Sequence, residues 1–135
     1  MATGHELAGV PLFASLNDAE LQELASWFEE RTAAEGVRLV GEGAPGYSFF
    51  VLTEGTAVAT AGDTRLADLG AGDFFGEIAI IERRRRTATV TTTAPVKMLV
   101  LFGTDFRQLQ EAQPGIAARI EEAMRQRLAN DENAA

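Results

Sequence analysis

Between Arg31 and Phe102 the sequence advances in short apolar runs, each stopped by glycine or proline. Phe49-Phe50-Val51-Leu52 ends at Glu54-Gly55, and Thr56-Ala57-Val58-Ala59-Thr60 ends at Gly62-Asp63. Leu66 to Leu69 ends at Gly70-Ala71-Gly72-Asp73. Thr87 to Thr93 is rich in threonine and valine and stops before Pro95, and Val96 to Phe102 follows. Many short strands at regular turn spacing predict an antiparallel sandwich or barrel, because βαβ units would need a helical stretch between strands.

The flanks read differently. Asn17 is a good N-cap, and Glu20 three residues later completes the pattern of a capping box. Leu21, Leu24 and Phe28 recur at helical spacing, which marks Trp27 and Phe28 as core residues. After the β zone, Thr104 is expected to cap a short helix through Phe106 and Leu109. Pro114 suits the first turn of a second helix, whose apolar face is Ile116, Ile120 and Met124. The tail from Asn130 to Ala135 is small and polar and is expected to fray. The order is therefore α, then β, then α. It implies an α+β fold in which an antiparallel sandwich or β-barrel is flanked by N- and C-terminal helices.

Composition narrows the chemistry. The chain has 135 residues, a single histidine (His5) and no cysteine, which excludes disulfides, thiolate catalysis and a typical zinc site. Its net charge of -8 repels nucleic acid and anionic membranes on average, so an anionic ligand needs a local positive site. No run approaches the length of a membrane span, and Met1 to Gly9 lacks the basic start and apolar stretch of a signal peptide. A cytoplasmic protein is expected.

Three stretches resemble sites. Gly41-Glu42-Gly43-Ala44-Pro45-Gly46 fits G-x-G-x-x-G, but a dinucleotide site needs a helix next, and Tyr47 to Leu52 reads as a strand. That stretch is expected to be a turn. Gly72-Asp73-Phe74-Phe75-Gly76-Glu77-Ile78-Ala79-Ile80-Ile81 lies between strand-like runs, yet Glu77 to Ile81 can make one helical turn. Free N–H groups at such a turn attract phosphate, and Gly76 permits close approach to the backbone. A carboxylate aimed at a phosphate would repel it, so Glu77 suits a sugar hydroxyl instead. A capped turn with no ligand fits the segment equally well. Arg83-Arg84-Arg85-Arg86 stands out in an acidic chain. Arg86 directly precedes a strand, where its guanidinium can offer bidentate hydrogen bonds to phosphate beside the Thr87 hydroxyl; Arg83 to Arg85 are expected at the surface.

Together these residues resemble the cyclic-nucleotide-binding domain family. Its phosphate-binding cassette reads roughly F-G-E-[LIM]-A-[LI]-x5-R-[AST]-A-[TS]. Here Phe75-Gly76-Glu77-Ile78-Ala79-Ile80 is followed, after five residues, by Arg86-Thr87-Ala88-Thr89. The resemblance covers almost the whole chain. It implies one domain over 1–135, with a helical part at 10–30, a jelly-roll-like barrel of the double-stranded β-helix kind at 31–102 carrying the cassette at 74–87, and hinge and lid helices at 104–130. It also implies roles. Glu77 accepts the ribose 2′-hydroxyl. The backbone N–H groups of Gly76, Ile78 and Ala79 face the phosphate or ribose. Arg86 pairs with the phosphate, helped by Thr87. Val58 and Ile78 line the purine pocket, and Arg127 caps the base. Arg85 departs from the family, where many members have proline. The ligand implied is cyclic AMP or cyclic GMP, with a lean to cyclic AMP, and no further cofactor. The implied role is a non-enzymatic sensor that moves its C-terminal helix on binding, with an effector domain or protein as partner and a homodimer through that helix as an option. It implies no contact of its own with nucleic acid or membrane: after Phe106 only two helices fit, which leaves no helix-turn-helix. A ligand-free interaction module, or the sensor part of a larger channel, kinase or transcription regulator, is the alternative.

Overall fold

The computed structural model describes residues 7–41, 48–76 and 88–130, the side chains of 127–130 excepted. A 3₁₀ turn, Pro11–Phe13, leads to helix α1 (Asp18–Ala25). Eight strands follow: β1 (Glu29–Ala33), β2 (Arg38–Val40), β3 (Ser48–Glu54), β4 (Ala57–Ala61), β5 (Thr64–Leu69), β6 (Phe74–Phe75), β7 (Thr89–Thr92) and β8 (Val96–Phe102). Helices α2 (Gly103–Ala112) and α3 (Pro114–Asn130) complete the described chain.

The strands form two four-stranded antiparallel sheets, ordered β1-β8-β3-β6 and β2-β7-β4-β5. They face one another as a jelly-roll sandwich with helices against one side. Among the described residues no strand pair joins the two sheets, so the expected barrel takes the form of a two-layer sandwich.

Side-chain alternation explains why the first sheet sits in the middle. In β3, Phe49 and Val51 join the helices in one core, while Phe50 and Leu52 join the second sheet in another. In β8, Leu99 and Leu101 take the helical side and Met98 and Val100 the inter-sheet side. Both strands are therefore apolar at successive positions, as a strand buried on both faces must be. The helical core is completed by Phe13, Leu21, Leu24, Phe106, Leu109, Ile120 and Met124.

Local signals account for two of the three α-helix starts among the described residues. Asn17 and Glu20 make both bonds of the capping box, at 3.0 and 2.9 Å. Pro114 opens α3, and Ile116, Ile120 and Met124 are buried as expected. Other boundaries differ. Helix α1 stops at Ala25, so Phe28 is buried from the turn beyond it and not from the helix face. Glu29 and Glu30, expected in the helical part, belong to β1. Thr104 does not cap α2: the helix begins at Gly103, its N-cap position is Phe102, and no side chain caps it. The strand β8 runs straight into the helix and leaves no extended residue at Thr104 to act as a cap. Of Gly41 to Gly46, only Gly41 lies within the described residues.

Candidate functional site

The cassette starts from a tight turn. Gly72 N–H donates to the Leu52 carbonyl at 2.8 Å, and Leu52 N–H donates to the Asp73 carbonyl at 2.9 Å. Asp73 Oδ2 accepts from Gly70 N–H at 2.7 Å, which closes the turn upon itself. The chain then enters β6, where Phe74 pairs with Val51 and Phe75 with Phe50. The pleat sends these two phenylalanines to opposite sides. Phe74 packs against the helical core, its ring 5.8 Å from that of Phe49. Phe75 enters the inter-sheet core and stacks on Phe50 at 4.8 Å.

Gly76 follows, buried and with φ +93°. A side chain disfavours that left-handed geometry, so glycine is required by the backbone as well as by any close approach of a ligand. Ala88 is also buried, and the chain enters β7 at Thr89, which pairs with Thr60 of β4. The cassette is thus strung from the edge strand of the first sheet to an inner strand of the second. Gly76 and Ala88, on either side of residues 77–87, are both buried.

Glu77, Ile78, Ala79, Arg86 and Thr87 lie outside the described residues, and so does the side chain of Arg127, whose backbone belongs to the last turns of α3. Val58 is described. It is half-buried in β4, opposite Thr91 and Asp68. Its neighbours Ala57 and Ala59 are the β4 residues that belong to the inter-sheet core, together with Val90 and Phe75. Alternation therefore puts Val58 on the other face of the sheet. The period-two pattern of β4 carried that signal, but which parity faces inward depends on pairing with β7, a contact remote in sequence. The structure also brings together a group that the sequence reading passed over: Glu20 and Arg119, 99 residues apart, are hydrogen-bonded.

Among the described residues no group of three or more histidine, cysteine, aspartate or glutamate side chains is arranged to hold a metal ion. Nor is any described helix long and apolar enough to cross a membrane.

Residues 30–113 match the sequence model of the family described as "Cyclic nucleotide-binding domain". Two curated relatives set the scale. A cyclic nucleotide-gated potassium channel of Rhizobium etli is 36% identical over 114 residues, covering 84% of this chain and 32% of the channel. A cAMP-dependent protein kinase regulatory subunit of Hypocrea atroviridis is 34% identical over 113 residues, covering 84% of this chain and 24% of the subunit. The chain thus spans between about a quarter and a third of these relatives. Among solved structures, the N-terminal domain of a transcriptional regulator from Streptomyces coelicolor A3(2) is similar with a TM-score of 0.82 and 32% identity, covering 93% of this chain and 91% of that one.

Proposed function

The chain belongs to the cyclic nucleotide-binding domain family, and from that premise we propose that residues 1–135 act as one sensor domain for cyclic AMP or cyclic GMP, with its pocket at the 74–87 cassette. The observation that carries this reading is the intact cassette in the sequence, Phe75-Gly76-Glu77-Ile78-Ala79-Ile80 and Arg86-Thr87, in which Gly76 is buried and left-handed. The roles follow from charge. Arg86 is the cationic partner of the cassette pattern, and a guanidinium matches the two exocyclic oxygens of a cyclic phosphate. Backbone N–H groups at Gly76, Ile78 and Ala79 add dipoles of the right sign, and Glu77 takes the 2′-hydroxyl. For the purine, Val58 and Ile78 are the apolar candidates, and Arg127 of α3 is the candidate for capping it. Thr87 can meet either nucleotide; the cyclic AMP named for the kinase subunit relative supports the lean to that ligand.

Binding would draw α3 across the pocket and so bias an attached effector. A homodimer through α3 would have to use its outer face, because Ile116, Ala117, Ile120 and Met124 are already buried within the chain. We read the domain as non-catalytic and without cofactor: hydrolysis of a cyclic phosphate usually draws on a metal cluster, and the sequence holds one histidine and no cysteine. The acidic net charge supports a protein that leaves nucleic acid and anionic membranes alone, and we read its place of action as the cytoplasm.

Calorimetry with each nucleotide tests the assignment. Arg86→Ala should weaken binding by about 30- to 1000-fold, as expected for losing a charged hydrogen-bond partner. Equal affinity in wild type and variant would reject it. Ligand should also slow amide exchange over residues 113–129, and exchange that is indifferent to ligand would reject the movement of α3.

A further inference from the structure

Helix α3 spends its apolar stripe on the core shared by the N-terminal helical segment, α2 and the first sheet. Ile116, Ala117, Ile120 and Met124 are buried in the core that holds Leu12, Phe13 and Leu24, and none of them enters the inter-sheet core. Two polar bridges border this packing. Arg119 Nη1 donates to Glu20 Oε1 at 3.2 Å and to the Ser15 carbonyl at 3.3 Å, while Nη2 donates to Glu20 Oε2. Arg119 Nε donates to the Gly115 carbonyl at 3.3 Å, which steadies the guanidinium on its own helix. Gln113 Nε2 donates to Glu23 Oε1 at 3.4 Å.

Glu20 has a second duty. Its Oε1 also accepts the Asn17 N–H at 3.0 Å, as one half of the capping box of α1. One carboxylate therefore ties the start of α1 to the second turn of α3, and the Arg119 guanidinium adds the turn at Ser15. The side chains of Arg119 and Glu20 are 40% and 24% exposed, so water can replace the pairing when it opens, and no bare charge is left buried.

We infer that Glu20 and Arg119 form a latch that holds α3 on the N-terminal segment and thereby lowers the affinity for cyclic nucleotide from outside the pocket. The inference rests on the proposed closure of α3 over the cassette. Arg119 lies five residues into a helix that starts at Pro114, about 7.5 Å along its axis. Any swing of α3 about that start draws the guanidinium away from Glu20 and Ser15 together. A ligand that binds only the swung form must offset the latch, and its apparent affinity falls with the fraction of molecules still latched. Glu20 and Arg119 are in this sense positioning residues: they touch no ligand and act through the placement of α3.

Three variants of the full chain separate the latch from the cap. Glu20→Gln retains a residue that serves in a capping box but loses the charge that Arg119 pairs with. Arg119→Gln removes the cation. Asn17→Ala removes the cap and leaves the ion pair. Calorimetry with cyclic AMP and cyclic GMP should give Glu20→Gln and Arg119→Gln about 1.5- to 5-fold tighter binding, the scale of an exposed ion pair. Amide exchange over 114–126 without nucleotide should quicken in both. Combining the two changes should add little to either alone. Asn17→Ala should lower the unfolding temperature and leave the affinity where it was. Unchanged or weaker binding in the latch variants overturns the proposal, as does an equal gain in Asn17→Ala, which would make the effect general destabilisation. Should wild type bind neither nucleotide, the assigned pocket fails, and the exchange arm alone still decides: α3 exchanging equally in wild type and both latch variants rejects the latch.

Discussion

Gly55 turns β3 into β4 with φ +89°, against the strand that follows Pro95. A Cβ placed there would strike the Pro95 carbonyl oxygen and approach Val96 Cα to 2.9 Å, both of them backbone atoms that cannot swing aside. Gly55→Ala should therefore destabilise by at least about 2 kcal/mol, combining a left-handed side chain with a backbone clash. A urea midpoint equal to wild type would refute that packing. Thr92 is a second such residue. It is buried, its hydroxyl donates to the Ala34 carbonyl at 2.6 Å, and its oxygen accepts from Val37 N–H at 2.8 Å. It thereby fixes the turn between β1 and β2. Thr92→Val keeps the shape and removes both bonds, which should cost about 1–3 kcal/mol in urea unfolding; a loss below experimental error would show the turn to be held by its backbone bonds alone. At this scale the sequence was legible where a residue acts on its immediate neighbours. The turn glycine at Gly55 and the cap at Asn17 were both visible. Thr92 was not, because its partners at Ala34 and Val37 lie more than fifty residues away. The lining role of Val58 came from the family resemblance, and only pairing with β7 shows that Ala57 and Ala59 are the β4 residues facing the inter-sheet core.

Elements were readable in proportion to how local their causes are. The strand β8 was bounded correctly from its apolar run and from Pro95, and α3 from Pro114 and its buried stripe. β1 carried little signal, since Glu29-Glu30-Arg31-Thr32-Ala33 is polar and becomes a strand by pairing with β8. The joining of α1 to α3 was also hidden, as it depends on Glu20 meeting Arg119. That meeting has a pH signature. Hydrogen bonds from Arg119 first, and from the Asn17 backbone second, hold the Glu20 carboxyl below the usual glutamate range. A carboxyl depressed in the folded state contributes stability that is fully present above its unfolded value of about 4.3 and is lost as pH falls through the folded value. The stability gap between wild type and Arg119→Gln should therefore be constant near neutrality and close as pH drops below about 4. Urea midpoints measured at each pH would show it, and a gap that persists undiminished at low pH would mean the carboxylate is not what Arg119 stabilises.

On the scale of the whole molecule, the first sheet is the shared wall of two cores, and neither core is complete without it. The helical layer supplies Phe13, Leu21, Leu24, Ile120 and Met124, but its far side is built by Phe49, Val51, Leu99 and Leu101 of the sheet. Rings link the two directly: Phe49 lies 6.3 Å from both Phe13 and Phe28 and 5.8 Å from Phe74 of β6. The cassette therefore leaves from a strand whose two residues report to different cores, Phe74 to the helices and Phe75 to the sandwich. Helices stripped of the sheet would expose their whole apolar face, so they should melt with it as one cooperative unit. Trp27 packs against the helical core and is the only tryptophan, so its fluorescence follows that layer, whereas circular dichroism in the far ultraviolet also follows the strands. In urea the two signals should trace one coincident transition. Leu99→Ala, on the helical side, and Met98→Ala, on the sandwich side, should each move both signals together and cost about 2–5 kcal/mol. A tryptophan transition that separates from the dichroism, above all one shifted by Leu99→Ala and not by Met98→Ala, would show that the helical layer unfolds on its own, and that the shared sheet does not couple the two cores.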